Sequence, residues 1–189
     1  MKKIPTLFKR VFDDHKIVDI LPEITPGCED AFLNGSATIK YDGSCCAIID
    51  KVFYKRYDAK GGKTPPAGAI PCGDPDPVTG HHPHWVPVDA NNPADRWFVE
   101  AYRNTYISYK GVSRTFEAVG PHFQGNPYNL PKDMLVMHGE NKVWVERTFE
   151  GVKKWLEESP VEGLVFWHNG EPVCKIKRSD FGLPWNNRR

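Results

Sequence analysis

The sequence predicts an α+β fold of antiparallel sheets with helices at their flanks. Three observations carry that expectation. Short β-rich runs outnumber helical stretches, and turns and irregular loops join them, which argues against a regular βαβ winding. The chain breaks often at glycine and proline, with 16 Gly and 17 Pro in 189 residues. An Asp42-Gly43 pair between two β-rich runs reads as a hairpin turn.

The elements follow in order. Residues 1–34 form an entry segment with one strand, Lys16–Ile20, closed by Pro22 and then Pro26-Gly27. Residues 36–58 read as strands at 36–41, 45–50 and 52–57. Residues 59–92 change character, with Gly61-Gly62, Pro65-Pro66 and further prolines to Pro87. This is a long Pro/Gly-rich loop, expected to be ordered because Ile70, Trp85, Val86 and Val88 give it apolar groups to pack. Asn92-Pro93 opens a helix to about residue 104, with Asn92 as cap and Pro93 in the first turn. Trp97 and Ala101 share a face of it. Strands are expected at Thr115–Val119, Met134–His138, Gly163–Trp167 and Val173–Lys177. A helix over Phe149–Glu158 aligns Phe149, Val152 and Leu156, and Ser159-Pro160 ends it. The whole chain, 1–189, is expected to be one domain.

Composition excludes several classes. The formal net charge is +1, so the chain is no histone-like or strongly basic coat protein, although a local basic groove is compatible with it. Apolar runs such as Cys45–Ile49 are far too short to span a bilayer. Met1-Lys2-Lys3-Ile4-Pro5 leads into Phe8-Lys9-Arg10 rather than an apolar signal core, so the expectation is a cytoplasmic protein with no membrane association. The five cysteines are odd in number and contain no Cys-x-x-Cys, which reads as reduced thiols. His81, His82 and His84 with Cys72 match no four-ligand zinc spacing; loop packing is the preferred reading, with phosphate contact beside Lys60, Lys63 and Arg96 as the alternative.

The residues that bear on chemistry are dispersed. Lys40-Tyr41-Asp42-Gly43 sets a lysine at a strand end before a turn. A Lys-x-Asp-Gly tetrad arises by chance in roughly one chain of this length in twenty, so alone it favours a solvated turn lysine. Glu117 is a lone carboxylate in an apolar strand, and Glu162 stands at the mouth of another. Lys175 and Lys177 alternate with Cys174 and Ile176, placing both lysines on one strand face. Each of these also reads as an edge or turn residue.

In this order the segments resemble the motifs of the covalent nucleotidyltransferases, the polynucleotide ligases and mRNA capping enzymes. Lys40–Gly43 is similar to the nucleophile motif, Phe116–Gly120 to the third, Glu162–Val165 to the fourth and Lys175–Lys177 to the fifth. The stretches 37–46, 116–128 and 175–181 further resemble small RNA ligases of phages and their animal relatives. The resemblance implies that Lys40 attacks the α-phosphate of ATP, passes AMP to an RNA 5′-phosphate, and releases it when a 3′-hydroxyl seals the strand. It implies that Lys175 and Lys177 hold the α-phosphate, Asp42 orients the Lys40 turn, and Ile39 borders the nucleotide. Glu117 and Arg56 would contact ribose or phosphate, with Lys55 and Lys60 as competitors for the role of Arg56. For Lys55 alone, a solvated lysine is the preferred reading. Glu162 would place a Mg²⁺ or Mn²⁺ ion. Adenine would stack on His138 or Phe123, although core packing suits Phe123 better. Trp85, Trp97 and Trp167 read as core, and Cys45 and Cys46 as inert thiols.

One departure from the family shapes the expectations. Twelve residues follow Lys177, ending in a basic Trp185-Asn186-Asn187-Arg188-Arg189, so no OB-fold is expected. That favours adenylation by ATP over guanylyl transfer and leaves room for an accessory protein in RNA docking. A DNA ligase, a guanylyltransferase or a non-catalytic RNA-end-binding module are the alternatives.

Overall fold

The computed structural model describes residues 3–14, 16–105 and 113–185. The chain starts with β1 (Phe8–Asp13), β2 (Lys16–Ile24), α1 (Glu29–Asn34), β3 (Ser36–Lys40), β4 (Ser44–Ile49) and β5 (Val52–Ala59). It continues through β6 (Ile70–Pro71), β7 (His82–Pro87), a 3₁₀ turn at Pro93–Asp95, α2 (Arg96–Asn104), β8 (Arg114–Val119) and β9 (Met134–Met137). It closes with β10 (Lys142–Val143), α3 (Phe149–Glu158), β11 (Gly163–His168), β12 (Glu171–Lys177) and a 3₁₀ turn at Arg178–Phe181. The class is α+β with antiparallel sheets and few helices, as the sequence predicts. Residues divide into two compact units, one holding Gly43–His138 with Lys3, the other Ile4–Asp42 with the chain from Gly139 onward.

The unit of Ile4–Asp42 and the chain from Gly139 onward is built on a four-stranded sheet in the order β10-β3-β11-β12, beside the β1–β2 hairpin. Residues 5–7 cover the free edge of β12: Leu7 N donates to Lys175 O at 2.7 Å and Lys175 N to Pro5 O at 3.0 Å. The inward faces of β3, β11 and β12 bury Ala37, Leu164, Phe166, Cys174 and Ile176 against Phe8, Phe32, Val152 and Leu156. Phe8 meets Phe32 and Phe149 edge-on, with centroids 5.6 and 5.0 Å apart. Helix α3 forms over the residues the sequence predicts. Thr148 Oγ1 caps it by accepting from Gly151 N at 2.9 Å, and Val152 and Leu156 are fully buried. Each of those two side chains contributes about 1.5–3 kcal/mol by leaving water.

The other unit is a six-stranded antiparallel sheet in the order β6-β7-β5-β4-β8-β9. Helix α2 presents Ala101, Trp97 and Phe98 to a core of Cys46, Ile48, Phe116, Ala118, Phe123 and Leu135. Asn92 accepts from Ala94 N at 3.0 Å, as its position before Pro93 predicts, although the first turn is 3₁₀.

Three sequence expectations are corrected. Asp42-Gly43 is no hairpin turn: β3 pairs with β10 and β11, whereas β4 pairs with β5 and β8. Asp42 is buried and accepts from Trp185 Nε1 at 2.9 Å, and Gly43 begins the other unit. The hairpin lies eight residues on, where Asp50 and Lys51 both take left-handed φ of +48° and +68° between β4 and β5. Two successive positive φ values give the primed turn that matches strand twist. The Pro-rich stretch 59–92 is not all loop, since β7 pairs with β5 along its full length and with β6. The entry segment holds β1, β2 and α1 rather than one strand, and β2 runs through Pro22 to Ile24. Residues 186–189 of the basic tail and Met1-Lys2 lie outside the described residues. Among the described residues no helix is long and apolar enough to cross a membrane.

Candidate functional site

Strand register gathers the lysines of the unit built on the four-stranded sheet. Gly163 on β11 is the cross-strand partner of both Lys40 on β3 and Lys177 on β12. Two residues along, Val165 is the partner of both Thr38 and Lys175. Side chains in one cross-strand row share a face, and residues two apart along a strand share it too. Lys40, Lys177, Lys175 and Thr38 therefore stand on one face, opposite the core. Gly163 puts no side chain between Lys40 and Lys177. A Cβ there would lie 2.1 Å from Ile176 O, so the close approach of β11 and β12 requires glycine.

Glu162 precedes that glycine and is only 7 % exposed. Its Oε2 accepts from Lys40 Nζ, and its Oε1 accepts from Lys177 Nζ at 2.7 Å. Lys175 has no carboxylate partner among the described residues. Burial, then the charges of Lys40, Lys177 and Arg10, bring its ammonium down to about 8, with Glu162 opposing. One carboxylate against three lysines is a site with an excess of positive charge, which suits a polyanion. Asp180 fixes the end of this strand. It is buried, its Oδ2 accepts from Lys177 N at 2.8 Å, and its Oδ1 accepts from Arg10 Nη2 at 2.5 Å. Behind the lysines, Trp167 Nε1 donates to Thr38 Oγ1 at 2.8 Å and Asn141 Nδ2 to the Tyr41 hydroxyl at 2.9 Å.

The other unit holds a second polar cluster. Glu117 on β8 pairs across to Cys45 on β4 and to Val136 on β9. Its Oε1 accepts from Gly43 N at 3.1 Å, and its Oε2 is 3.0 Å from His138 Nε2. His138 Nδ1 is 2.9 Å from Thr115 Oγ1. A Cβ on Gly43 would meet Ala118 O at 2.2 Å, so glycine lets this strand end lie flat against β8. Gln124 Nε2 donates to Gly43 O at 2.8 Å. Burial, then Glu117, pushes the Cys45 thiol up to about 12, with Arg56 opposing. Arg56 Nε donates to Asp58 Oδ1 at 2.9 Å.

The sequence-derived site residues thus fall into two groups. Lys40, Glu162, Lys175 and Lys177 come together in one unit, and Glu117, His138 and Arg56 lie in the other. Ile39 turns from Lys40 toward the core. Lys55 is not a solvated lysine: it is ion-paired to Asp95, a residue 1 % exposed, whose Oδ2 also accepts from Asp89 N at 3.0 Å. Phe123 and Trp85 are core, as expected, and Trp97 stacks flat on His122. His84 is buried, its Nδ1 2.8 Å from His82 O; both stand on β7, so they pack within the sheet and not in a loop as expected. Sequence reasoning missed Asp180, Asn141, Thr38 and Gln124. Only Asp180 left a local signal, as an acid three residues after Lys177.

Comparison with known proteins adds an independent line. No family model matches the chain. It is similar to the protein named RNA ligase 1 of Danio rerio, 30% identical over 139 residues, covering 56% of this chain and 42% of that protein. RNA ligase 1 of Pongo abelii is 30% identical over 149 residues, covering 60% and 45%. That of Rattus norvegicus is 26% identical over 229 aligned positions, covering 80% and 69%. The chain spans under half the length of the two more identical relatives. These similarities support a relationship to RNA ligases.

Proposed function

We propose that the chain is an RNA ligase of the covalent nucleotidyltransferase type, with Lys40 as nucleophile. The observation that carries this reading is the single sheet face on which Lys40, Lys177 and Lys175 stand around one carboxylate, Glu162. A lysine beside a phosphate-binding pair of lysines has the parts that phosphoryl transfer needs, since that chemistry depends on positioning and charge. The relatives named RNA ligase 1 support it from outside the structure.

In this reading, neutral Lys40 Nζ attacks the α-phosphorus of ATP. The bond to the bridging oxygen breaks, pyrophosphate leaves, and a phosphoramide forms. An RNA 5′-phosphate oxygen then displaces Lys40 to give a 5′,5′-linked AMP-RNA, and a 3′-hydroxyl displaces AMP to form the phosphodiester. Lys40 must leave Glu162 and lose its proton before the first step. Lys175 and Lys177 hold the phosphate charge. Glu117 contacts the ribose, and Asp42, tied to Trp185, steadies the Lys40 turn. A single carboxylate suits Mg²⁺ or Mn²⁺, which bind through few acids plus substrate phosphates. Glu162 is the residue that would hold the ion, whose role when bound is to neutralise phosphate charge. In this reading the chain is a nucleotidyltransferase core acting on RNA ends or nicks in the cytoplasm.

The test is adenylation. Incubation with α-labelled ATP and Mg²⁺ should tag the wild-type chain covalently, GTP should tag it poorly, and Lys40→Ala should stay unlabelled. Labelling of Lys40→Ala, or none in folded wild type, overturns the reading. Nicked RNA against nicked DNA separates the two ligase classes.

A further inference from the structure

Cys45 on β4, Glu117 on β8 and His138 just past the end of β9 bring together three different donor types. Cys45 and Glu117 are direct cross-strand partners, so register rather than a loop sets their separation. One Sγ, one carboxylate oxygen and one ring nitrogen all lie within 4.8 Å of one another. A tetrahedral zinc with bonds of about 2.0–2.3 Å holds neighbouring donors roughly 3.3–3.8 Å apart, so small side-chain rotations close the shell. The Glu117–His138 pair is already at 3.0 Å.

Two of the three donors are braced from behind. Thr115 Oγ1 lies 2.9 Å from His138 Nδ1; on metal binding it would accept that N–H while Nε2, which faces Glu117 Oε2 at 3.0 Å, gives its lone pair to the cation. Gly43 N holds Glu117 Oε1 and leaves Oε2 to His138 Nε2, 3.0 Å away. Such outer partners orient metal ligands and fix the histidine tautomer. A thiolate, an imidazole and one carboxylate form a set of borderline softness, matched to Zn²⁺ and poorly matched to Mg²⁺. Among the described residues the histidines of the Pro-rich stretch form no comparable set.

We propose that Cys45 Sγ, Glu117 Oε2 and His138 Nε2 bind a zinc-class divalent cation, leaving a fourth position open to water or ligand. On binding, the Cys45 S–H bond breaks, a sulfur–metal bond forms, and the proton passes to solvent. No group changes oxidation state. Under the ligase reading Glu117 also serves the ribose, so the site is tested without nucleotide and its outcome is independent of that reading.

The full chain, stripped of metal, is titrated with Co²⁺. The expected result is one ion per chain, bound with release of one proton, with a near-ultraviolet sulfur-to-cobalt band, visible bands of four-coordinate intensity, and displacement by Zn²⁺ without further proton release. Cys45→Ser should abolish the sulfur band, whereas Cys72→Ser should keep it. Thr115→Val leaves all three ligands in place and should weaken the affinity about 10–100-fold, the usual loss for an outer-shell partner. Circular dichroism confirms that the variants fold. Absence of the band in wild type, its survival in Cys45→Ser, or its loss in Cys72→Ser overturns the proposal. An affinity unchanged in Thr115→Val does so as well.

Discussion

Glu162 holds Lys40 through one carboxylate oxygen while the other accepts from Lys177 at 2.7 Å. A buried carboxylate between two ammonium groups both offsets part of the site's positive charge and occupies the residue proposed as nucleophile. Replacing it with the isosteric amide, Glu162→Gln, leaves three lysines on one face without a counter-charge. Complete burial would make such a loss worth 3–5 kcal/mol; the lysines here are partly exposed, so about 2 kcal/mol is expected. Urea denaturation measures it. Binding of an inorganic anion should move the opposite way, with pyrophosphate raising the melting temperature of Glu162→Gln more than that of wild type. An equal or smaller rise would mean that the lysine face does not bind phosphate.

Gly163 is required by the sheet as much as by the chemistry. In Gly163→Ala the new Cβ would fall 2.1 Å from Ile176 O, and both atoms belong to or hang directly on backbone. Strands β11 and β12 must part locally, at about 2–3 kcal/mol, the upper range for overpacking. Hydrogen exchange at Leu164 and Ile176 should quicken. Unchanged exchange and unchanged stability would show that the strands are not held so close.

Lys175 gives the protein a distinctive alkaline response. Its pKa falls from 10.5 to about 8 in the folded chain, because burial and neighbouring cations disfavour its charge. Below pH 8 both folded and unfolded chains hold the proton, and the folded state bears the full cost of the charge. As pH rises from about 8 to 10.5 the folded chain releases a proton that the unfolded chain still holds, so this group's contribution to stability increases. Lys175→Met removes that titration. It should be more stable than wild type at about pH 7, by a margin that narrows toward about pH 10. Paired denaturation curves give the margin, and a constant value would rule Lys175 out as the source.

The Lys55–Asp95 pair tests how buried charge is tolerated away from the site. Asp95 also accepts from Asp89 N, so Lys55→Met leaves a buried carboxylate with one partner. A loss of about 2–4 kcal/mol is expected. Lys55→Met combined with Asp95→Leu should cost less than the sum of the two single changes, because neither charge is then stranded. Strict additivity in urea denaturation would count against the pairing.

What the sequence disclosed follows from the range over which each feature is determined. Helix α3 was legible to its last residue because its apolar spacing and Ser159-Pro160 stop both lie within twelve residues. The alternation of Lys175 and Lys177 was equally local. Asp42-Gly43 misled because the dipeptide carries a turn signal, while its real determinants are distant: Trp185 for Asp42, and Ala118 and Glu117 for Gly43. Lys55 looked solvated because its acid lies forty residues away. The double pairing of Glu162 depends on a register joining β3 to β11, which segments more than a hundred residues apart decide. Strand β7 was hidden by Pro83 and Pro87, which lack the N–H that sheet pairing ordinarily uses.

The pairing of β5 with β7 makes one stretch of the covalent chain dispensable. Residues 60–64, just after β5, are exposed throughout, and β7 is hydrogen-bonded to β5 over six registered positions. A protease cut there severs the polypeptide without severing the sheet. The two products share β4 with β8 as well as β5 with β7 in one unit, and β3 with β11 in the other. They should elute together as a nicked species and part only in denaturant. The same two pieces, expressed from separate genes, form a split protein whose reassembly restores the sheet face bearing Lys40.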